Sequence, residues 1–302
     1  MSATLTSPAP TTRPAGTPVT TAVLHSTRAD LLRLRTWPAV WVTVGAWLTM
    51  NAMFGYVFNY VTYNSGENNF SNQGQSRADL LASILPAALP DSLPQGMPMF
   101  GGAIMMVLGA IIAGNGYGWG TWKTVLTQGP SRTSTLLGSL SATTLIVAGI
   151  VVATVVSDYL MALAVALAES QSTALPALGD TAQSVGVAFL VLEMWALAGY
   201  LLGTVARGPA VSVGLGLVWA LVIENLLRGV GGSLSWVESF THVLPGTASG
   251  SLVGQLVGVG GPDPTPGLLD TLSLDRALVT VCAYVLVLPL VTWWLVRRRD
   301  VV

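Results

Sequence analysis

Apolar positions along the chain gather into six long runs, near residues 39–61, 99–118, 137–157, 183–206, 209–230 and 277–296, set apart by polar, Gly- and Pro-bearing segments. An α-helix rises about 1.5 Å per residue, so about 20 residues cross the roughly 30 Å hydrocarbon layer of a bilayer. Each run therefore predicts a transmembrane helix that satisfies its own backbone hydrogen bonds, while the connections need water or protein around them. Residues 1–22 are rich in Thr, Pro, Ser and Ala, carry one charge, Arg13, and read as a disordered cytoplasmic tail with no secretory signal. Residues 23–302 then form a single six-helix domain. The third run stays apolar to residue 168 but contains Asp158. Its helix is expected to emerge near Asp158, with Leu160, Met161 and Leu163 along the outer surface as far as the break at Pro176; a span shifted outward is the second possibility. The segment 231–274, with Trp236, Phe240, Val243, Leu244, Leu252 and Leu256 around Pro245, predicts short helices dipping into the outer leaflet.

Composition agrees with a bilayer as the main solvent. Charged residues are 9% of the chain and apolar residues 52%, with mean hydropathy +0.64, against about 25% charged in soluble proteins. The fold class is an all-α polytopic membrane protein. A net charge of −1 gives no electrostatic case for nucleic acid, so placement matters more than sum. With the N-terminus inside, Arg13, Arg28, Arg33, Arg35, Lys123, Arg132, Arg207, Arg297, Arg298 and Arg299 fall on the cytoplasmic side and only Arg77, Arg228 and Arg276 outside. This bias places both termini in the cytoplasm. Trp293 and Trp294 then mark the inner headgroup level, and Cys282, the single cysteine, excludes an intrachain disulfide.

Catalytic motifs are mostly missing. The string nearest a phosphate-binding loop, GWGTWKT at 118–124, has Trp122 where a glycine must precede the lysine, so no ATP, cofactor or metal is expected on this chain. His25 and His242 lack metal-ligand spacing, and Glu238, Ser239 and His242 form no nucleophile–base–orienter set by spacing alone. Asn69-Phe70-Ser71 matches a glycosylation tripeptide and decides nothing. Charge inside the spans is more informative, because an ionised group at a helix centre costs about 2.5–3.5 kcal/mol on insertion scales. Glu193 sits mid-span, with Phe189, Ala196, Leu197 and Tyr200 on its side of the helix. It reads either as a substrate-facing or gating residue or as a buried acid paired with a neighbouring helix, and Asn51 is a candidate partner. Glu224 and Arg228, four apart in the favourable order, read as a structural ion pair. Ala196, Gly199 and Gly203, like Ser212 and Gly216, form small-residue stripes that favour close packing within the chain, and Met97, Met99, Met105 and Met106 read as core filler.

The most distinctive stretch joins the second and third spans, from Gly116 to Arg132. Trp119, Trp122, Val125 and Leu126 can share one face of a short amphipathic helix at the inner interface, Gly129-Pro130 turns the chain, and Ser131 can cap the next helix. Gly120-Thr121-Trp122-Lys123, followed by Leu126-Thr127 and Pro130-Ser131-Arg132, resembles the signature after the second span of ABC-2-type permeases, the membrane subunits of bacterial ABC exporters. A basic elbow at Arg28–Trp37, short outer helices before the last span and a terminal Arg297-Arg298-Arg299 are similar to that family. Four positions before the Gly120-Thr121 pair the family commonly has an acid; this chain has Gly116.

The resemblance implies a permease domain over 23–302 and no enzyme activity of its own. A separate ATPase subunit, in two copies, would hold ATP and Mg and act through Gly120, Thr121, Trp122, Lys123, Leu126 and Arg132. A second permease copy or a paralogue would complete a pathway lined by Asn51, Glu193 and Tyr200 in the inner (plasma) membrane, for a hydrophobic or amphipathic drug, antibiotic, peptide or lipid. The rival reading is a secondary transporter driven by an ion gradient through Glu193.

Overall fold

The computed structural model describes residues 18–66, 75–127, 131–231, 234–259 and 265–299. Arg13, the Asn69 tripeptide and the Gly129-Pro130 turn lie outside them. The chain begins with α1 (Val19–Thr36), so residues 19–22 of the expected tail are helical. Next come α2 (Pro38–Ser65), α3 (Arg77–Ser83), two short turns over 86–92, α4 (Met97–Gly118), α5 (Thr121–Thr127), α6 (Arg132–Ala168) and α7 (Leu178–Ala206). The remainder is α8 (Pro209–Gly231), α9 (Ser235–Thr241), α10 (Pro245–Val257) and α11 (Leu274–Arg298). Among the described residues there is no strand, and six helices, α2, α4, α6, α7, α8 and α11, are long and apolar enough to cross a membrane. The protein is a multi-pass, all-helical membrane protein.

Local chemistry sets the helix ends. Pro38, Pro209 and Pro245 each occupy the first turn, where their missing N–H costs nothing. The Ser131 hydroxyl caps α6 by accepting from the Ser134 N–H at 3.1 Å. Arg207, in the left-handed region at φ 54°, closes α7 just before Gly208-Pro209 starts α8.

The core lies between α4 and α7, whose backbones touch. A Cβ on Gly109 would lie 1.9 Å from the Ala196 carbonyl oxygen, and one on Gly199 would lie 1.9 Å from that of Met106. Apolar surface is not driven together inside a bilayer, so this close van der Waals packing is what holds the two helices. Gly203 meets the Ala110 carbonyl, while Gly216 of α8 rests on the Met106 sulfur. The small-residue stripes and Met97, Met105 and Met106 are thus consumed within the chain. By contrast α2, α8 and α11 turn most of their surface outward.

Spans α2 and α6 run parallel in a shared register. Trp47 Nε1 donates to Thr154 Oγ1 at 2.9 Å and Asn51 Nδ2 to Asp158 Oδ1 at 2.5 Å, both 107 residues apart. Tyr60 and Tyr63 add hydroxyl bonds to Glu169 at 2.9 and 3.1 Å. This ladder corrects the expected exit at Asp158: α6 continues unbroken for 37 residues, and Asp158, 2% exposed, faces α2. The span boundaries widen accordingly, most of all for 137–157.

Helix α1 lies across the start of α6, where Gly138 leaves room for Ser26 and Thr27; a Cβ there would sit 2.3 Å from that of Ser26. Thr27 and Leu34 face the bundle, whereas Leu24, Arg28 and Arg35 face away from it. Helix α1 and the end of α11 both meet the start of α6: Ser26 and Thr27 lie at Gly138, Arg132 donates to the Arg299 carbonyl at 3.0 Å, and Arg299 reaches the Val205 carbonyl at 3.4 Å. Of the expected helices in 231–274, α9 exposes Trp236 and Phe240, but α10 is packed into the bundle, with Ala248, Leu252 and Val253 fully buried.

Candidate functional site

Two sites emerge from the residues singled out by sequence. The first is the short helix α5, at the same end as the starts of α2 and α6. Gly120, at φ +66°, makes the turn after α4, and the α5 helix then runs only from Thr121 to Thr127. Trp122 turns inward and is 7% exposed. Its indole fills the space a side chain on residue 116 would need, since a Cβ on Gly116 would lie 2.4 Å from Trp122 Nε1. Tyr117 stacks on the indole at 5.8 Å between centroids. Gly116 is therefore the counterpart of Trp122: an acid there would displace the ring. Lys123, Thr124 and Thr127 face outward and Leu126 is half-buried.

Trp119 departs from the expected apolar face. It precedes α5, stays 66% exposed and packs edge-on against Trp37 at 5.3 Å, so it ties the turn to the α1–α2 corner instead of sharing a face with Trp122. A small cleft separates α5 from α1 and α6, lined by Asp30, Arg33, Thr121, Trp122, Val125, Thr135 and Ser139. Burial holds the Asp30 carboxyl above its ordinary range, an effect that Arg33, 3.2 Å away, and Ser139 only partly offset. Arg132 lies at the base of α6, bound to the Arg299 carbonyl.

The second site is the set of carboxylates inside the spans. Glu193, 3% exposed at the middle of α7, accepts from the Thr144 hydroxyl of α6 at 2.6 Å through Oε1; its Oε2 is buried with no hydrogen-bond partner. Asn51 is not its partner, which corrects the expectation: Asn51 is spent on Asp158, along the α2–α6 seam. Tyr200 lies two turns along α7 from Glu193, fully buried, with its hydroxyl toward Ser139 of α6. The structure thus does not gather Asn51, Glu193 and Tyr200 into one pocket. Thr144 was missed because a threonine in an apolar run carries no sequence signal of its own.

Glu224 sits in a different environment. The Arg228 guanidinium is 4.0 Å from Oε2, but Trp219 Nε1 donates to Oε1 at 2.8 Å and the Gly246 N–H to Oε2 at 2.8 Å. Its main contacts are therefore an indole one turn earlier and the first turn of α10, where the helix dipole favours an anion. Arg228 in turn donates to Asn225 at 2.8 Å. The only sequence signal for this contact was Pro245-Gly246 opening a helix. Among the described residues no group of three His, Cys, Asp or Glu side chains is placed to hold a metal ion. Comparison with known proteins finds no matching family model and no matching curated protein.

Proposed function

We propose that this protein is the permease subunit of an ATP-driven exporter of the ABC-2 type, with ATP and Mg held by a separate ATPase present in two copies. The observation that carries this reading is α5. It is a short helix with polar residues outward and one indole, Trp122, seated in the bundle against Gly116 and Tyr117. A partner pressing on Lys123, Thr124 and Thr127 moves a lever whose fulcrum is Trp122, and the load reaches α1, α4 and α6 together. In this reading both termini and α5 are cytoplasmic, the membrane is the inner (plasma) membrane, and a second permease copy or paralogue completes the pathway. The cargo is hydrophobic or amphipathic. Support for this orientation comes from the basic residues Lys123, Arg132, Arg297 and Arg298 at the end that carries the termini.

The test is copurification with an ATPase and measurement of its hydrolysis in reconstituted vesicles. Trp122→Ala is expected to lower cargo-stimulated hydrolysis at least about tenfold while the complex still assembles. Export that persists after every ATPase partner is removed rejects the proposal. The free oxygen of Glu193 favours one second reading, an ion-gradient transporter. Pumping by the chain alone under a pH or sodium gradient, abolished by Glu193→Gln, would establish it instead.

A further inference from the structure

Three carboxylates lie buried within the spans, each bound by a neighbouring part of the chain. Asp158 is held by Asn51, and Glu224 by Trp219, Gly246 and Arg228. Glu193 alone among the three has a buried oxygen with no partner, and neither ion pair among the described residues involves it. Such a group is a vacancy for a donor, preferably a charged one.

Its position says how a donor would arrive. The single partner of Glu193, Thr144, is only half-buried, and the next residue along α6, Leu145, is 53% exposed. Glu193 is thus one side chain behind the membrane-facing surface, at the seam between α6 and α7. The Thr144 hydroxyl also lies 3.1 Å from the Leu140 carbonyl, so its single proton can turn to that acceptor and release the carboxylate without being orphaned. Helical spacing puts Ala148 one turn from Thr144 on α6, and Phe189 and Gly186 one and two turns from Glu193 on α7. Gly186 is exposed, and a Cβ there would meet nothing within 4 Å.

We propose that Glu193 binds the ammonium group of an amphipathic amine that enters sideways from the bilayer between α6 and α7, displacing Thr144 and leaving its apolar chain along Leu145 and Ala148. As a statement of the cargo's chemical class this rests on the transport reading above; as a binding site it stands on the carboxylate. The ammonium supplies the missing donor to Oε2, and neither ion pair among the described residues involves Glu193. Phe189 flanks it at one turn's distance, where an aromatic face also attracts a cation.

The test uses the full chain alone in phosphatidylcholine nanodiscs. A dodecylamine carrying a dansyl group at its far end is compared with its N-acetylated form, and energy transfer from the protein's tryptophans is read against empty nanodiscs. The amine is expected to bind about tenfold tighter or more than the acetylated form, the increment of one charge-assisted hydrogen bond. Glu193→Gln should remove that difference without changing binding of the acetylated probe. Ala148→Phe, which narrows the seam and leaves the carboxylate intact, should weaken the amine as well. Equal binding of the two probes to the native chain, a preference that survives Glu193→Gln, or one untouched by Ala148→Phe overturns the proposal. No ATPase is present, so a failure of ATPase coupling rejects the transport reading and leaves this site standing.

Discussion

Glu193 and Glu224 are both acids buried in membrane helices, yet they are buried in opposite ways. Around Glu224 the chain brings two N–H donors and a guanidinium from three turns of α8 and from α10, 22 residues further on. Around Glu193 it brings one hydroxyl that already has another acceptor. The first arrangement fixes a helix in place, and the second leaves hydrogen-bonding capacity unused. Burial alone therefore does not distinguish the two acids; the count of partners does.

That contrast can be broken in order of expected size. Glu224→Ala strands the Trp219 and Gly246 N–H groups, each costing about 1–3 kcal/mol when left unpaired, so a loss of about 2–6 kcal/mol is expected. Thermal unfolding in detergent with loss of α10 protection in hydrogen exchange checks it, and an unchanged melt would place the clamp elsewhere. Gly246→Ala puts a Cβ 2.1 Å from Glu224 Oε2 and pushes the carboxylate off the helix start. About 1–3 kcal/mol should be lost, as for other overpacked sites. Glu193→Gln should change stability by no more than about 1 kcal/mol, because Thr144 keeps the Leu140 carbonyl. A melt as damaging as that of Glu224→Ala would show that the two acids are not different in kind.

Asp30 offers the smallest effect and a control at the water interface. Its carboxyl is raised above the ordinary 3.8 chiefly by burial, so the folded state favours the protonated form. The resulting stabilisation is fully present below the ordinary value and is lost as pH rises through the raised one. The melting temperature of the native chain relative to Asp30→Asn should accordingly fall as pH is raised through that window. A difference that stays flat with pH would contradict this.

The helical count was legible because length and apolarity are local properties. Which residues meet was legible only where spacing along one helix decides it, as for Glu224 and Arg228. Asp158 read as a helix exit because its partner, Asn51, is 107 residues away, and no periodicity reports a contact between helices. The same limit assigned Asn51 to Glu193. Trp122 was singled out as part of a distinctive turn, but its inward seat depends on Gly116, whose lack of a side chain becomes meaningful only once the indole is seen to occupy that space. The small-residue stripe of α7 was informative because close helix approach is what glycine and alanine permit.

The rungs between α2 and α6 have a mechanical corollary. Two rails pinned at Trp47–Thr154, Asn51–Asp158 and the paired tyrosines on Glu169 cannot shear past one another by a helical pitch of about 5.4 Å without breaking all four bonds at once. Sliding between them is therefore the costly motion and tilting the two together the cheaper one.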